Sequence, residues 1–195
     1  MGTFIIAGSR AGICYMDVST AIQLSGWASY IHEVVSGACP GEYSADMHGE
    51  RWSRESLGRE ATQFPYIKEL GRAGGPERNK QMALYAQERQ GFLIAVPHLL
   101  RTSRGTASMI ANARRLRLRM FVFEASTGIY WWESGTGSPY GRAVYKNWAD
   151  ERLIYLRDMP LPEVKAAPPI SRIPSTTRIV SVWTPVNEVP ERFEL

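Results

Sequence analysis

Over the first 125 residues, short apolar runs alternate with segments whose apolar positions recur at helical spacing. Residues 3–7, 34–36, 92–96 and 120–123 are rich in Ile, Val and Phe and predict buried strands. Between them, Val18, Ala21 and Ile22, and later Ile110 and Ala113, fall on one helical face, and residues 107–115 form a predicted helix. Pro76 sits where the first turn of a helix accepts a residue without an N–H. Strands alternating with helices imply an α/β domain, an open parallel sheet with helices on both faces.

The pattern changes near residue 125. Residues 126–158 concentrate aromatics and glycine, among them Tyr130, Trp131, Trp132, Tyr140 and Trp148, and from Pro160 onward prolines crowd the chain. One strand is expected there, over residues 178–183. The division predicts an α/β domain at 1–125 and an extension at 126–195 that packs on the domain or on a neighbouring subunit. A proline-rich arm loses little entropy on docking, so a homo-oligomer (a dimer or higher) is expected. The aromatics of 126–158 are read as packing residues more than as a recognition surface.

Composition narrows the class. With 44% hydrophobic and 22% charged residues, the 195-residue chain is globular and not disordered. Its longest apolar stretch, residues 91–100, is interrupted by Pro97 and His98 and is half a membrane span, so no membrane role is expected. The first residues lack a basic segment before their apolar run and read as a strand, not a signal peptide. Cys14 and Cys39 are the two cysteines, so a disulfide framework is excluded and a cytoplasmic protein with reduced thiols is expected. His32, His48 and His98 have no ligand spacing, so no metal is expected, and no cofactor either.

Charge adds one feature. Of the 23 basic residues only Lys68, Lys80, Lys146 and Lys165 are lysines; the rest are arginines. No acid lies between Glu88 and Glu124, whereas Arg89, Arg101, Arg104, Arg114, Arg115, Arg117 and Arg119 do. Such a run is either a ligand-facing cluster for phosphate or carboxylate or a solvated helix face. Paired Cys/His ligands and basic heptads are absent from the sequence, so nucleic acid is not the expected partner.

The candidate chemistry lies in glycine turns that follow predicted strands. Ala7-Gly8-Ser9-Arg10 follows the first strand. Ser36-Gly37-Ala38 follows the second and leads to Ala45-Asp46. Ser103-Arg104-Gly105-Thr106 follows the 92–96 strand and precedes a helix. In an open parallel sheet, ligands bind beyond the carboxyl ends of the strands, where glycine lets backbone N–H groups approach a phosphate. A fourth segment, Gly71-Arg72-Ala73-Gly74-Gly75-Pro76-Glu77-Arg78-Asn79-Lys80-Gln81-Met82, puts Arg78 in the first turn of a helix with Met82 one turn on. The expected ligand-binding residues are therefore Gly8, Ser9, Arg10, Gly37, Ala38, Asp46, Arg78, Asn79, Ser103, Arg104, Gly105 and Thr106.

In this order the four segments, with Gly49-Glu50-Arg51-Trp52 and Ala113-Arg114, resemble the SLOG superfamily. This Rossmann-like group includes the Lonely Guy phosphoribohydrolases and the DprA/Smf proteins, and the likeness is greatest to the small SLOG branch of bacteria and phages. It covers roughly residues 3–125. The resemblance implies a Rossmann-like sheet and a nucleotide site. Lonely Guy enzymes cleave an N-glycosidic bond with an arginine at a helix start and a glutamate shortly after a Gly-Gly-x-Gly-Thr loop. Arg78 matches that arginine and Gly105-Thr106 the end of the loop, but Ser103 replaces a glycine and the glutamate position falls on Met109.

Two carboxylates are candidate substitutes. Asp46 and Glu50 lie four apart, on one face if a helix begins there, and either could stabilise a glycosyl cation or activate water. In the competing reading Asp46 caps that helix or binds a ribose hydroxyl, and Glu50 pairs with Arg54. Neither cysteine has a histidine partner in the sequence, which argues against a thiol nucleophile. Three functions thus stand. The first is a binding protein for a phosphorylated nucleoside or nucleotide-derived signal, serving as a sensor or sequestering protein. The second is an N-glycosidic hydrolase or transferase using Arg78 with Asp46 or Glu50, and the third an interaction protein built on the extension.

Overall fold

The computed structural model describes residues 2–135 and 137–158. Strands β1 (Gly2–Gly8), β2 (Ile31–Ser36), β3 (Thr62–Gln63), β4 (Phe92–Val96), β5 (Arg119–Glu124), β6 (Ile129–Glu133) and β7 (Pro139–Val144) form one sheet, ordered β3-β2-β1-β4-β5-β6-β7. The five strands from β3 to β5 pair in parallel; β6 and β7 are antiparallel additions to the β5 edge. The protein is α/β and Rossmann-like, as the alternation of strand and helix patterns predicts. Among the described residues, no helix is long and apolar enough to cross a membrane.

Alternate residues of the central strands enter two separate cores. Phe4, Ile6, Ile94, Val96, Phe121 and Phe123 face helices α1 (Tyr15–Ser25) and α2 (Ala45–Trp52). Ile5, Ala7, Leu93, Ala95, Met120 and Val122 face α3 (Gly74–Glu88) and α4 (Arg104–Arg115). Burial on both faces explains why these strands read as continuous apolar runs. α4 begins three residues before the expected helix, so Gly105 and Thr106 belong to its first turn.

The described residues from 126 to 157 do not stand apart from the sheet: β6 pairs with β5 across five residues, and one compact unit extends to Arg157. Glycine-interrupted aromatic segments carry these strands. Trp132 donates its indole N–H to Ser25 O at 3.2 Å, tying β6 to the end of α1. Helix α5 (Trp148–Asp158) buries Trp148, whose indole N–H bonds Ala125 O at 2.8 Å and whose ring meets Phe123 edge-on at 4.9 Å. Tyr140, in contrast, is exposed. The expected strand at 178–183 and the proline-rich arm lie outside the described residues.

Candidate functional site

The sheet order reverses between β1 and β4: one crossover runs outward to β2, the other to β5. A crevice opens at that point beyond the strands' carboxyl ends, as in other doubly wound sheets. The cleft there has a volume of about 760 Å³, within the range of small-ligand sites. The expected segments converge on it. Gly8, Ser9, Arg10, Gly37, Asp46, Arg78, Asn79, Ser103, Arg104, Gly105 and Thr106 all line it, with Ala7, Met82 and Met109 as apolar lining. Two expected residues do not: neither Ala38 nor Glu50 reaches the cleft.

The first turn is locked by close approach. Ser9 N–H donates to Val96 O at 3.2 Å, its carbonyl accepts Ala45 N–H at 3.0 Å, and a methyl group at Gly8 would lie 2.6 Å from Ala45 Cβ. Only glycine fits between strand β4 and helix α2. Ser9 Oγ accepts His98 N–H at 2.8 Å and lies 2.6 Å from Ser103 Oγ, while Ser103 Oγ–H donates to Leu99 O at 3.0 Å. With the Ser103 proton committed, Ser9 must be the donor in the hydroxyl pair. This chain of bonds fixes the β1 turn against the loop entering α4.

Ser103 precedes α4 without a side-chain capping bond. The first-turn N–H groups of α4 have no acceptor inside the helix and the first turn carries no acid, so this end favours an anion. Asn79 braces it by donating to Gly105 O at 3.2 Å. Thr106, 2% exposed, keeps its hydroxyl without a hydrogen-bond partner.

Arg78 lies deeper than a surface arginine. It is 7% exposed, donates through Nη1 to Gly37 O and at 3.4 Å to Phe64 O, and lies 3.7 Å from Asp46 Oδ2. Its Nε–H is buried without a partner. The guanidinium fits here because residue 37 has no side chain: a Cβ there would collide with Arg78 and sit 2.7 Å from Asp46 Oδ2.

Asp46 does not cap α2; Ser44 does, accepting Met47 N–H at 3.2 Å. Asp46 instead accepts Cys39 N–H at 3.1 Å. Burial pushes its carboxyl up to about 6, against the opposing pull of Arg78, the Cys39 N–H and Arg10. Glu50 accepts the Ser36 hydroxyl at 2.6 Å and not Arg54, which pairs with Glu60 at 3.4 Å. Asp46 and Glu50 therefore do not act as a pair on the cleft.

The lining is electropositive, with Arg10, Arg78 and Arg104 against the single carboxylate of Asp46. Of the acid-free arginine run, Arg104 alone lines it. Arg114 pairs with buried Glu133, Arg115 bonds Asn112, and Arg89 lies over the Tyr85 ring, so three of the seven arginines have structural partners. Met109 lines the cleft at 1% exposure and brings no carboxylate. Cys14 is a buried thiol pushed up to about 12 by burial, and Cys39, in the cleft, is also raised by burial. Both therefore stay protonated near neutrality. Tyr66 escaped the sequence reading: it does not line the cleft but stands beside it, since a methyl at the lining residue Gly75 would meet its Cε2 at 3.6 Å and Arg10 Nη2 at 4.0 Å. No sequence signal marks it, because its place depends on the 68–73 turn.

No protein-family model, no curated protein and no solved structure matches this chain.

Proposed function

We propose that this protein binds a phosphorylated nucleoside or a nucleotide-derived signalling molecule in the cleft and does not cleave it. The observation that carries this reading is the pair of buried, unpartnered polar groups, Arg78 Nε–H and Thr106 Oγ, in residues lining an arginine-rich cleft. Buried polar groups are normally satisfied, so two orphans in one cleft suit a ligand that completes them. A phosphate fits the first turn of α4, where N–H groups, Thr106 and Arg104 converge. Ribose hydroxyls suit Asp46, and an aromatic base suits the exposed Tyr66 ring beside Gly75, just outside the lining. Met109 in place of an acid favours binding over hydrolysis.

The reading belongs with the resemblance to small SLOG proteins, and with it come a cytoplasmic sensing or sequestering role and self-association. Isothermal titration against nucleoside monophosphates, ADP-ribose derivatives and cyclic nucleotides tests it. Saturable binding of at least one is expected, and no heat from any of them at millimolar concentration overturns it.

A second reading is favoured by Asp46 alone. A carboxyl titrating near 6, 3.7 Å from a buried arginine, is poised for general acid–base work in N-glycosidic cleavage. Incubation with nucleotides and detection of free base decides between the two. Release that disappears in Asp46→Asn and in Arg78→Ala supports the hydrolase; intact nucleotide recovered after binding supports the sensor.

A further inference from the structure

The β1–α1 loop, residues 9–14, forms one wall of the cleft with the end of β1: Gly8, Ser9, Arg10, Ala11 and Gly12 all line it. Few bonds of its own hold its far half. Ile13 N–H bonds Tyr43 O at 3.1 Å, and Cys14 N–H bonds Asp17 Oδ2 at 2.7 Å at the start of α1. The Ile13 carbonyl lies 3.1 Å from His48 Nε2, and a further restraint, on Gly12 and Asp17, comes from 140 residues downstream. Arg152, on α5, donates Nε–H to Asp17 Oδ1 at 2.7 Å, and Nη2–H to Asp17 Oδ2 at 3.1 Å and to the Gly12 carbonyl at 2.7 Å.

Asp17 is fully buried, so its charge requires a partner, and the planar guanidinium supplies a two-point one. The third N–H bond falls on a loop carbonyl at Gly12, a residue with φ +75° that packs against the His98 ring, itself in the cleft lining. Arg152 has 17% of its side chain exposed and lines no part of the cleft, so it cannot touch a ligand there directly.

We infer that Arg152 is a positioning residue: through Asp17 and Gly12 it latches α5 to the β1–α1 loop and holds that loop in its ligand-binding shape. Occupancy of the cleft and docking of α5 are then linked. A ligand resting on residues 8–12 tightens α5, and anything that draws α5 away weakens the ligand in the same proportion. Lysine, with one point charge, can keep the Asp17 contact but not the fork and the Gly12 bond together. The inference rests on the proposed nucleotide site for its ligand arm, and on the loop alone for its structural arm.

The test uses the full chain, wild type, Arg152→Ala and Arg152→Lys, with two measurements. In hydrogen exchange without ligand, Arg152→Ala should lose protection at the Ile13 and Cys14 amides while β1, β4 and β5 keep theirs, with Arg152→Lys between. In titration with AMP, affinity should fall about tenfold in Arg152→Ala and less in Arg152→Lys, and saturating AMP should slow exchange in residues 148–156 of the wild type. Wild-type protection at Ile13 and Cys14 in Arg152→Ala overturns the latch. So does loss of protection spread over the whole sheet, which marks a merely structural arginine. If the wild type binds no AMP, the proposed function loses that ligand, and the exchange arm still decides the latch.

Discussion

Asp46 Oδ2 and Arg78 Nη1 lie 3.7 Å apart with side-chain exposures of 8% and 9%, a close ion pair at the base of an electropositive cleft. Its carboxyl sits near 6 against an ordinary 3.8, chiefly from burial. The folded protein therefore holds this proton more tightly than the unfolded chain does. The stability it contributes is complete below about pH 4 and is lost as pH rises to about 6, up to about 3 kcal/mol. Urea denaturation between pH 4 and 7 should show that loss, and Asp46→Asn should flatten it.

The same pair predicts a pH-dependent anion affinity. Protonating Asp46 leaves the Arg78 charge uncompensated, while Arg10 and Glu50 also act on the carboxyl. Sulfate stays a dianion from pH 5 to 8 and isolates the protein's own titration. Its affinity should rise about three- to tenfold as pH falls from 7.5 to 5, and Asp46→Asn should bind it with little pH dependence. A flat wild-type profile by titration calorimetry would remove Asp46 from the site's electrostatics.

Gly37→Ala puts a methyl where the Arg78 guanidinium lies, within 2.7 Å of Asp46 Oδ2. The arginine must leave its bonds to Gly37 O and Phe64 O. Overpacking of this kind costs about 1–3 kcal/mol, read as a lower melting temperature, together with loss of nucleotide binding. Ala38→Gly next door serves as control: residue 38 already has φ +49° and does not line the cleft, so binding should persist.

What the sequence made legible follows from burial and from distance along the chain. β1 and β4 are covered on both faces and read as unbroken apolar runs, whereas β3 has two residues and β7 is mostly exposed, leaving no comparable pattern. The glycine turns could be placed because turn chemistry is local and parallel topology puts every strand end on one rim. Arg78 bonding Gly37 O across 41 positions, or Glu50 turning to Ser36, depends on helix rotation that local spacing does not encode. The arginine run misled for the same reason: charge density says nothing of a partner such as Glu133, which arrives on a strand hidden among aromatics.

That partner is testable by itself. Arg114 Nη2 donates to Glu133 Oε2 at 2.8 Å, and Glu133 is 1% exposed, so α4 and β6 meet through a carboxylate with no access to water. Arg114→Ala strands that charge. Breaking a buried pair costs about 3–5 kcal/mol; because half of the Arg114 side chain is exposed, water can reach the vacated site and about 2 kcal/mol is expected. Arg114→Ala with Glu133→Gln should recover much of the loss, since neither charge is then left unpaired. A double mutant as unstable as the single would mean that packing by the arginine stem dominates.

Thr106→Val separates a ligand group from a structural one. The substitution keeps the shape and the β-branch in the first turn of α4 and removes only a hydroxyl, which is buried at 2% exposure without a partner. A buried hydroxyl lacking a hydrogen bond costs the folded state about 1–3 kcal/mol, so valine should raise the melting temperature of the free protein. If that hydroxyl completes its bonding on a phosphate oxygen, the same variant should bind nucleotide about tenfold more weakly, one lost hydrogen bond to a charged group. The two effects have opposite signs, so a general disturbance of the fold cannot mimic them. A variant both less stable and unchanged in affinity would show that the Thr106 hydroxyl serves the helix and has no part in holding a ligand.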